Sequence, residues 1–226
     1  MGFKFIHPST HLVAGHTGCG KTQYVLRILS FRMIEPFPDR IIWVYAEWQS
    51  AYAEELRLNP KIEFVKGYPP NLYDRILPTT NNLVILDDQM SEAGEKKELA
   101  QLFTQGSHHR NLSIIYIVQN VFDKGKSHRT ASLNSHYITL FKNPRDQLQV
   151  ETLARQVFPG QAKRFSGTFH SVTSEPFTYM LLDVSPRAGQ ARKRSHSESV
   201  GYPSKRSSAD LYSGIFPDEE TFMYFP

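Results

Sequence analysis

The residues with the clearest chemical potential form one glycine-rich run near the amino terminus. In order, its members are Gly15, His16, Thr17, Gly18, Cys19, Gly20, Lys21 and Thr22. The run has the pattern G-x-x-x-x-G-K-[ST], in which the glycines let backbone N–H groups point inward and form a concavity for phosphate oxygens. Lys21 could then reach the β- and γ-phosphates, and the Thr22 hydroxyl could bind Mg²⁺. The motif predicts a binding site for a nucleoside triphosphate with Mg²⁺.

Two carboxylates directly follow a later apolar run. Residues 83–86 (LVIL) precede Asp87 and Asp88. Beside a phosphate loop, the first acid would hold the Mg²⁺ hydration shell together with the Thr22 hydroxyl. The second would orient or deprotonate the attacking water. We therefore predict Asp87 as the metal-side acid and Asp88 as the catalytic base, the alternative being a solvated Asp-Asp turn.

Three further side chains near predicted strand ends are candidates for catalysis. Gln119 follows the apolar residues 112–118, where a neutral amide can contact both the γ-phosphate and the attacking water. Arg110 and Arg129 could neutralise transition-state charge if a neighbouring subunit supplied one of them. Arg110 is the first choice, because the loop before its strand should lie at the sheet edge opposite the subunit's own phosphates. Arg129 is the second choice, and for each arginine an ordinary surface position is the alternative.

The elements that must position these residues alternate between apolar runs and helical patterns. The predicted strands span residues 12–14, 40–46, 62–65, 83–86, 112–118, 137–141 and 177–182. The predicted helices begin near Lys21, Ser50, Ser91 and Asn143. Continuous apolar strands between helices favour an α/β fold, a mostly parallel central sheet covered by helices on both faces. Ligands bind such sheets at the carboxyl ends of the strands, so the glycine loop, the acids and Gln119 should converge on one site.

Length and composition limit the remaining possibilities. The 226 residues suit one domain with a tail, and the net charge of +4 permits nucleic-acid binding without requiring it. No run approaches the ~20 apolar residues of a membrane span, so we expect no membrane partner. The polar amino terminus does not resemble a secretory signal, which predicts a protein that is not secreted. The single cysteine, Cys19, excludes an intrachain disulfide and suits a reducing compartment.

The composition changes near residue 186. Residues 187–206 contain six basic residues and one acidic residue among Ser, Gly and Pro, which predicts disorder. We therefore divide the chain into an ATPase domain at residues 1–186 and a tail at residues 187–226. Residues 192–194 with 205–206 resemble a two-part nuclear import signal, although a solvated linker or a nonspecific DNA contact would have the same composition. The aromatic and acidic residues 211–226 could form a docking peptide.

Five segments together resemble a known family. GHTGCGKT, RIIWVYAEWQ, VILDDQM, GSHHRNLSIIYIVQN and SLNSHYITLFKNPRD are similar to segments of the genome-packaging ATPases of large DNA viruses and polinton- or adintovirus-type elements, which belong to the FtsK–HerA superfamily. The resemblance covers roughly residues 10–183. It implies a RecA-like core, a homo-oligomeric ring, and ATP- and Mg²⁺-dependent translocation of double-stranded DNA into a capsid. Under this resemblance Arg129 could instead line a DNA channel, and residues 211–226 could dock on a capsid protein or a neighbouring subunit. Such a protein would reside in the host nucleus or the virion, or otherwise in the cytoplasm. One departure is Asp88, where the superfamily often has the longer glutamate.

Three alternative functions share the phosphate loop. A GTPase is suggested by residues 143–146 (NPRD), which mimic the guanine-reading N-K-x-D motif but lack its lysine. A small-molecule kinase would not require a strand ending in Gln119. A module that binds ATP without turnover would not require both acids.

Overall fold

The structure, a computed structural model, describes residues 3–58, 61–87, 97–106, 110–122, 126–143, 147–186 and 222–225. The helices are α1 (Lys21–Ser30), α2 (Ser50–Leu58), α3 (Lys97–Gln101), α4 (Lys126–Leu133), α5 (Gln147–Val157) and α6 (Ala162–Val172). The strands are β1 (Phe5–Ile6), β2 (Thr10–Ala14), β3 (Ile34–Glu35), β4 (Arg40–Tyr45), β5 (Ile62–Lys66), β6 (Asn82–Asp87), β7 (Leu112–Val118), β8 (Tyr137–Phe141), β9 (Tyr179–Asp183) and β10 (Phe222–Phe225). A 3₁₀ turn spans Tyr73–Arg75, and α3 continues as a π-helix at Leu102–Gly106.

The central sheet has eight strands in the order β10-β9-β8-β2-β7-β6-β4-β5. From β8 to β5 all neighbours are parallel, while β9 and β10 are added antiparallel at one edge. Strands β2, β6, β7 and β8 are buried along their whole length, because helices cover both faces. The predicted α/β class with a mostly parallel sheet is confirmed.

Alternate residues of each strand enter two separate cores. On β6, Val84 faces the core beneath α3 to α6, whereas Ile85 faces the core beneath α1 and α2. Each large side chain removed from water in this way contributes roughly 1.5–3 kcal/mol to folding. The sheet is therefore held from both sides, which makes its carboxyl edge a rigid platform for the connecting loops.

Several elements were not predicted from the sequence. Helix α6 has only Phe165, Thr168 and Phe169 buried, which is too few apolar positions for a clear helical pattern. Strands β1 and β3 have two residues each and pair with one another in parallel. Strand β10 lies in the segment assigned to the tail, yet it extends the sheet beside β9. The predicted last strand began at residue 177, whereas β9 begins at Tyr179. None of the helices in the described ranges has the length and apolar character needed to span a bilayer.

Candidate functional site

The glycine loop connects the end of β2 to the start of α1, as the motif predicts. Its first residue is fixed to the neighbouring strand, because Gly15 N donates to the Val118 carbonyl at 3.2 Å. A Cβ atom on Gly15 would lie 2.6 Å from Phe141 Cβ and 2.7 Å from Cys19 Sγ. Gly20 has φ +102° at the N-cap of α1, a conformation that favours glycine. The loop path therefore depends on glycine both for close approach and for its backbone angle.

A cavity of about 420 Å³ opens at the carboxyl ends of β2, β6 and β7, and we call it the phosphate cavity. Residues that line it include Gly18, Lys21, Thr22, Asp87, Gln119 and Phe177. Its volume is typical of small-ligand sites. The structure thus brings together the loop, the first acid and Gln119, which the sequence analysis assigned to one site.

The charge of Lys21 is held at the centre of the loop. Its ammonium donates to the carbonyl of Gly15 at 2.6 Å and to that of His16 at 3.0 Å. The N-terminus of α1 starts at the same residue and adds its partial positive charge. This end of the cavity is suited to bind an anion with several oxygens, such as a polyphosphate.

Hydroxyl and carboxylate oxygens converge at Asp87, which lines the same cavity. Thr22 Oγ1 donates to Asp87 Oδ2 at 3.2 Å, and the Tyr52 hydroxyl donates to the same oxygen at 2.7 Å. Asp87 is only 3% exposed, so these donors replace much of the water that a free carboxylate would have. One hydroxyl and one carboxylate fit Mg²⁺, which usually takes few protein ligands and completes its shell with phosphate and water.

Gln119 reaches the cavity because of the strand order. Strand β7 lies between β2, which carries the loop, and β6, which carries Asp87. Gln119 directly follows β7 and is exposed toward the cavity that it lines. Asp88, the predicted base, lies outside the described residues.

The two predicted arginines lie away from the phosphate cavity. Arg110 precedes the amino end of β7, and its guanidinium donates to the Ile76 carbonyl at 3.0 Å and stacks 4.5 Å from the Tyr73 ring centre. This position is at the sheet edge opposite the loop, where the sequence analysis expected Arg110 to lie. Arg129 is exposed on α4. Neither arginine lines this chain's own cavity, so the assignment of a trans-acting arginine stays a prediction.

Cys19 has a packing role within the loop. Burial raises the pKa of its thiol, with the nearby Lys21 charge opposing that shift. The thiol is therefore neutral near neutral pH. Its sulfur fills the space next to Gly15 that a Cβ atom would otherwise occupy. This arrangement suits a space-filling side chain rather than a nucleophile.

Two aromatic residues at the site were not predicted from the sequence. Tyr52 lies on α2, is fully buried, and is brought to Asp87 because β4, the strand before α2, pairs with β6. Phe177 lies in the loop between α6 and β9, where it is 69% exposed and has φ at +65°. The aromatic residues near Tyr52 are typical of a hydrophobic core, so they gave no sign of a functional role. Phe177 was predicted as the first residue of a strand.

The comparisons with known proteins find similarity in structure alone. No protein-family model and no curated protein sequence matches the chain. Among solved structures, the genome packaging NTPase B204 from Sulfolobus turreted icosahedral virus 2 in complex with sulfate has a TM-score of 0.53 at 13% identity, covering 78% of this chain and 91% of that chain. Its complex with ATP-gammaS has a TM-score of 0.51 at 12% identity, with 78% and 92% covered.

A second B204 is also similar. The DNA-packaging ATPase B204 from Sulfolobus turreted icosahedral virus has a TM-score of 0.53 at 12% identity, covering 78% of this chain and 92% of that chain. At these identities the likeness concerns the fold. The chain has a RecA-like α/β core with a mostly parallel sheet, of the kind found in these ATPases.

Proposed function

We propose that this protein is a Mg²⁺-dependent ATPase that moves double-stranded DNA into a capsid. The observation that carries the ATPase part is the convergence of Lys21, Thr22, Asp87 and Gln119 around the phosphate cavity. These residues supply the parts that hydrolysis of a phosphoanhydride requires: a cation for the phosphates, oxygen ligands for the metal, and an amide for the attacking water.

In the proposed reaction, water attacks the γ-phosphorus and the bond to the β–γ bridging oxygen breaks. Lys21 stabilises charge on the β- and γ-phosphate oxygens, while Gln119 orients the water. Asp88 accepts the proton of the attacking water. Mg²⁺, when bound, would neutralise charge between the two phosphates, and Thr22 and Asp87 would hold it. ADP and inorganic phosphate are the products.

DNA packaging is supported by two independent similarities. Segments of the sequence resemble viral packaging ATPases, and the fold resembles two proteins described as a genome packaging NTPase and a DNA-packaging ATPase. We infer a homo-oligomeric ring that surrounds double-stranded DNA and contacts a capsid protein. Ring assembly would also explain why the candidate arginines lie away from the subunit's own phosphate cavity.

The test is steady-state hydrolysis of ATP and GTP by the full chain, with and without double-stranded DNA. We expect ATP hydrolysis that DNA stimulates. Lys21→Ala should abolish turnover and preserve the thermal unfolding temperature, because its ammonium bonds carbonyls of the glycine loop and belongs to neither hydrophobic core. Lys163→Ala, which removes an exposed lysine of α6, is the matched control. Unchanged kcat in Lys21→Ala would reject the site, and a preference for GTP would favour the GTPase alternative.

A trans-acting arginine is tested by mixing inactive subunits. Arg110→Ala should bind ATP normally and hydrolyse it about 10³-fold more slowly, as for loss of an arginine finger. Mixed with Lys21→Ala subunits, it should regain some activity. At an interface between the two variants, the Arg110→Ala subunit supplies an intact Lys21 and the Lys21→Ala subunit supplies an intact Arg110. No regained activity in mixtures that co-assemble would refute the role of Arg110. Arg129→Ala, if Arg129 contacts DNA, should keep basal turnover and lose DNA stimulation.

We also propose that the tail directs the protein to the host nucleus. Its basic residues at 192–194 and 205–206 have the spacing of a two-part import signal. A tagged chain lacking residues 187–226 should lose nuclear accumulation. Unchanged accumulation would remove the import role and leave a solvated linker or a DNA contact.

A further inference from the structure

A second cavity adjoins the phosphate cavity on the outer side of the glycine loop. We call this space of about 310 Å³ the side cavity. Its walls come from the loop, from the end of β8, and from residues 174–178 between α6 and β9. Gly18 and Phe177 line both cavities, so the two spaces meet at these residues. A ligand with its phosphates at Lys21 could place its remaining part in the side cavity.

Phe177 occupies this junction at a conformational and a solvation cost. Its φ of +65° is rare for a bulky residue, and the residue is 69% exposed to solvent. Neither feature helps the fold, since a glycine would adopt this backbone angle without strain and a polar residue would suit the solvent. Strained residues of this kind cluster at ligand sites, where the surrounding structure holds them in place.

The surrounding loop holds Phe177 in a defined position. Thr178 Oγ1 donates to the Glu175 carbonyl at 2.7 Å, which closes the turn that contains Phe177. Tyr179, two residues later, pairs in register with Phe141 of β8. On the loop side, Phe177 Cδ1 lies 3.3 Å from the position that a Cβ of Gly20 would take. The ring thus lies beside the last glycine of the loop and borders both cavities.

We propose that Phe177 is the stacking platform for the nucleobase of a bound nucleoside di- or triphosphate, and that the side cavity holds this base. The proposal rests on the nucleotide-binding part of the proposed function and adds the residue that binds the base. An aromatic ring stacks on any base through its π-face, so Phe177 contributes affinity more than a choice between bases. Polar side chains around the cavity, among them Lys142 and Glu175, are placed to contact the base edge.

The experiment compares a ligand with a base against a ligand without one. Calorimetry on the full chain measures Kd for a non-hydrolysable ATP analogue and for inorganic tripolyphosphate, both with Mg²⁺. Phe177→Ala should raise the Kd of the ATP analogue about 10-fold, within the range found for loss of one base–aromatic stack, and leave the Kd of tripolyphosphate unchanged. Phe177→Trp should retain the affinity for the ATP analogue. Phe31→Ala is the control, because Phe31 is equally exposed (68%) at the far end of α1.

A variant that relieves the backbone strain separates binding from folding. Phe177→Gly should also lose about 10-fold in affinity for the ATP analogue, while its thermal unfolding temperature stays equal to or above that of the wild type. An equal loss of affinity for the ATP analogue and for tripolyphosphate would mean that Phe177 only shapes the phosphate loop, and this result would overturn the proposal. Unchanged affinity for both ligands also overturns it. If the wild type binds neither ligand, the proposed nucleotide site fails as well, and that result is distinct from the other two.

Discussion

Replacing Tyr52 by phenylalanine would remove one hydroxyl from the candidate site and leave the aromatic ring in place. The ring is fully buried, with its centre 5.2 Å from those of Trp43 and Phe64. Phenylalanine keeps these contacts, so the packing of α2 against the sheet should be preserved. The change removes the 2.7 Å hydrogen bond to Asp87 Oδ2. Tyr52→Phe therefore tests whether this bond positions the metal-side acid.

The expected size of the effect follows from the burial of Asp87. Hydrogen bonds to charged groups contribute roughly 1.5–3 kcal/mol, and Asp87 is 3% exposed, so water can replace the lost donor only in part. About 1.4 kcal/mol corresponds to a factor of ten in an equilibrium or rate constant. We expect kcat/KM for ATP to fall about 10-fold and half-saturation to require a higher Mg²⁺ concentration.

The assay is steady-state ATP hydrolysis as a function of Mg²⁺ concentration. Tyr45→Phe is the matched control, because it removes the hydroxyl of a half-buried tyrosine in the same aromatic cluster, 5.6 Å from Tyr52 between ring centres. If Tyr52→Phe and Tyr45→Phe both keep the wild-type Mg²⁺ dependence, Asp87 is positioned without Tyr52 and the reasoning is refuted. A lower unfolding free energy with unchanged Mg²⁺ dependence would indicate a purely structural hydroxyl.

Three further predictions concern the base, the loop and a buried histidine. Asp88→Asn should bind ATP normally and lose hydrolysis, because an amide keeps the shape but accepts no proton; a loss of ATP affinity would place Asp88 with the metal ligands instead. Gly15→Ala should lower the free energy of unfolding in urea by roughly 1–3 kcal/mol, since its Cβ would meet Phe141 Cβ at 2.6 Å; an unchanged midpoint would show that the loop has room. Burial lowers the pKa of His11 from 6.5 to about 3. Below pH 6.5 the unfolded chain therefore binds a proton that the folded chain excludes, and the free energy of unfolding falls as the pH falls through this range. Relative to His11→Gln, wild-type stability should fall by roughly 1.4 kcal/mol per pH unit between pH 6 and 4, and parallel curves for the two proteins would contradict this assignment.

The chemistry of the glycine loop was predictable because it is local. Residues 15–22 are contiguous, and the requirements for glycine, lysine and a hydroxyl are met within one turn of chain. The α/β class was predictable for a similar reason, since buried parallel strands are continuous apolar runs that alternate with helices. The placement of Asp87 and Gln119 at strand ends followed from these runs, and the structure brings both to the phosphate cavity.

Tertiary structure alone decided which distant residues complete the site. Tyr52 and Asp87 are 35 positions apart, and their contact depends on the pairing of β4 with β6, which no local pattern encodes. The insertion of β7 between β2 and β6 likewise places Gln119 beside the loop rather than at the sheet edge. Phe177 is an aromatic residue of the kind that strands favour, but its positive φ places it in the turn before β9, which begins at Tyr179. Apolar patterns report burial and periodicity, whereas strand order and backbone angle arise from long-range packing.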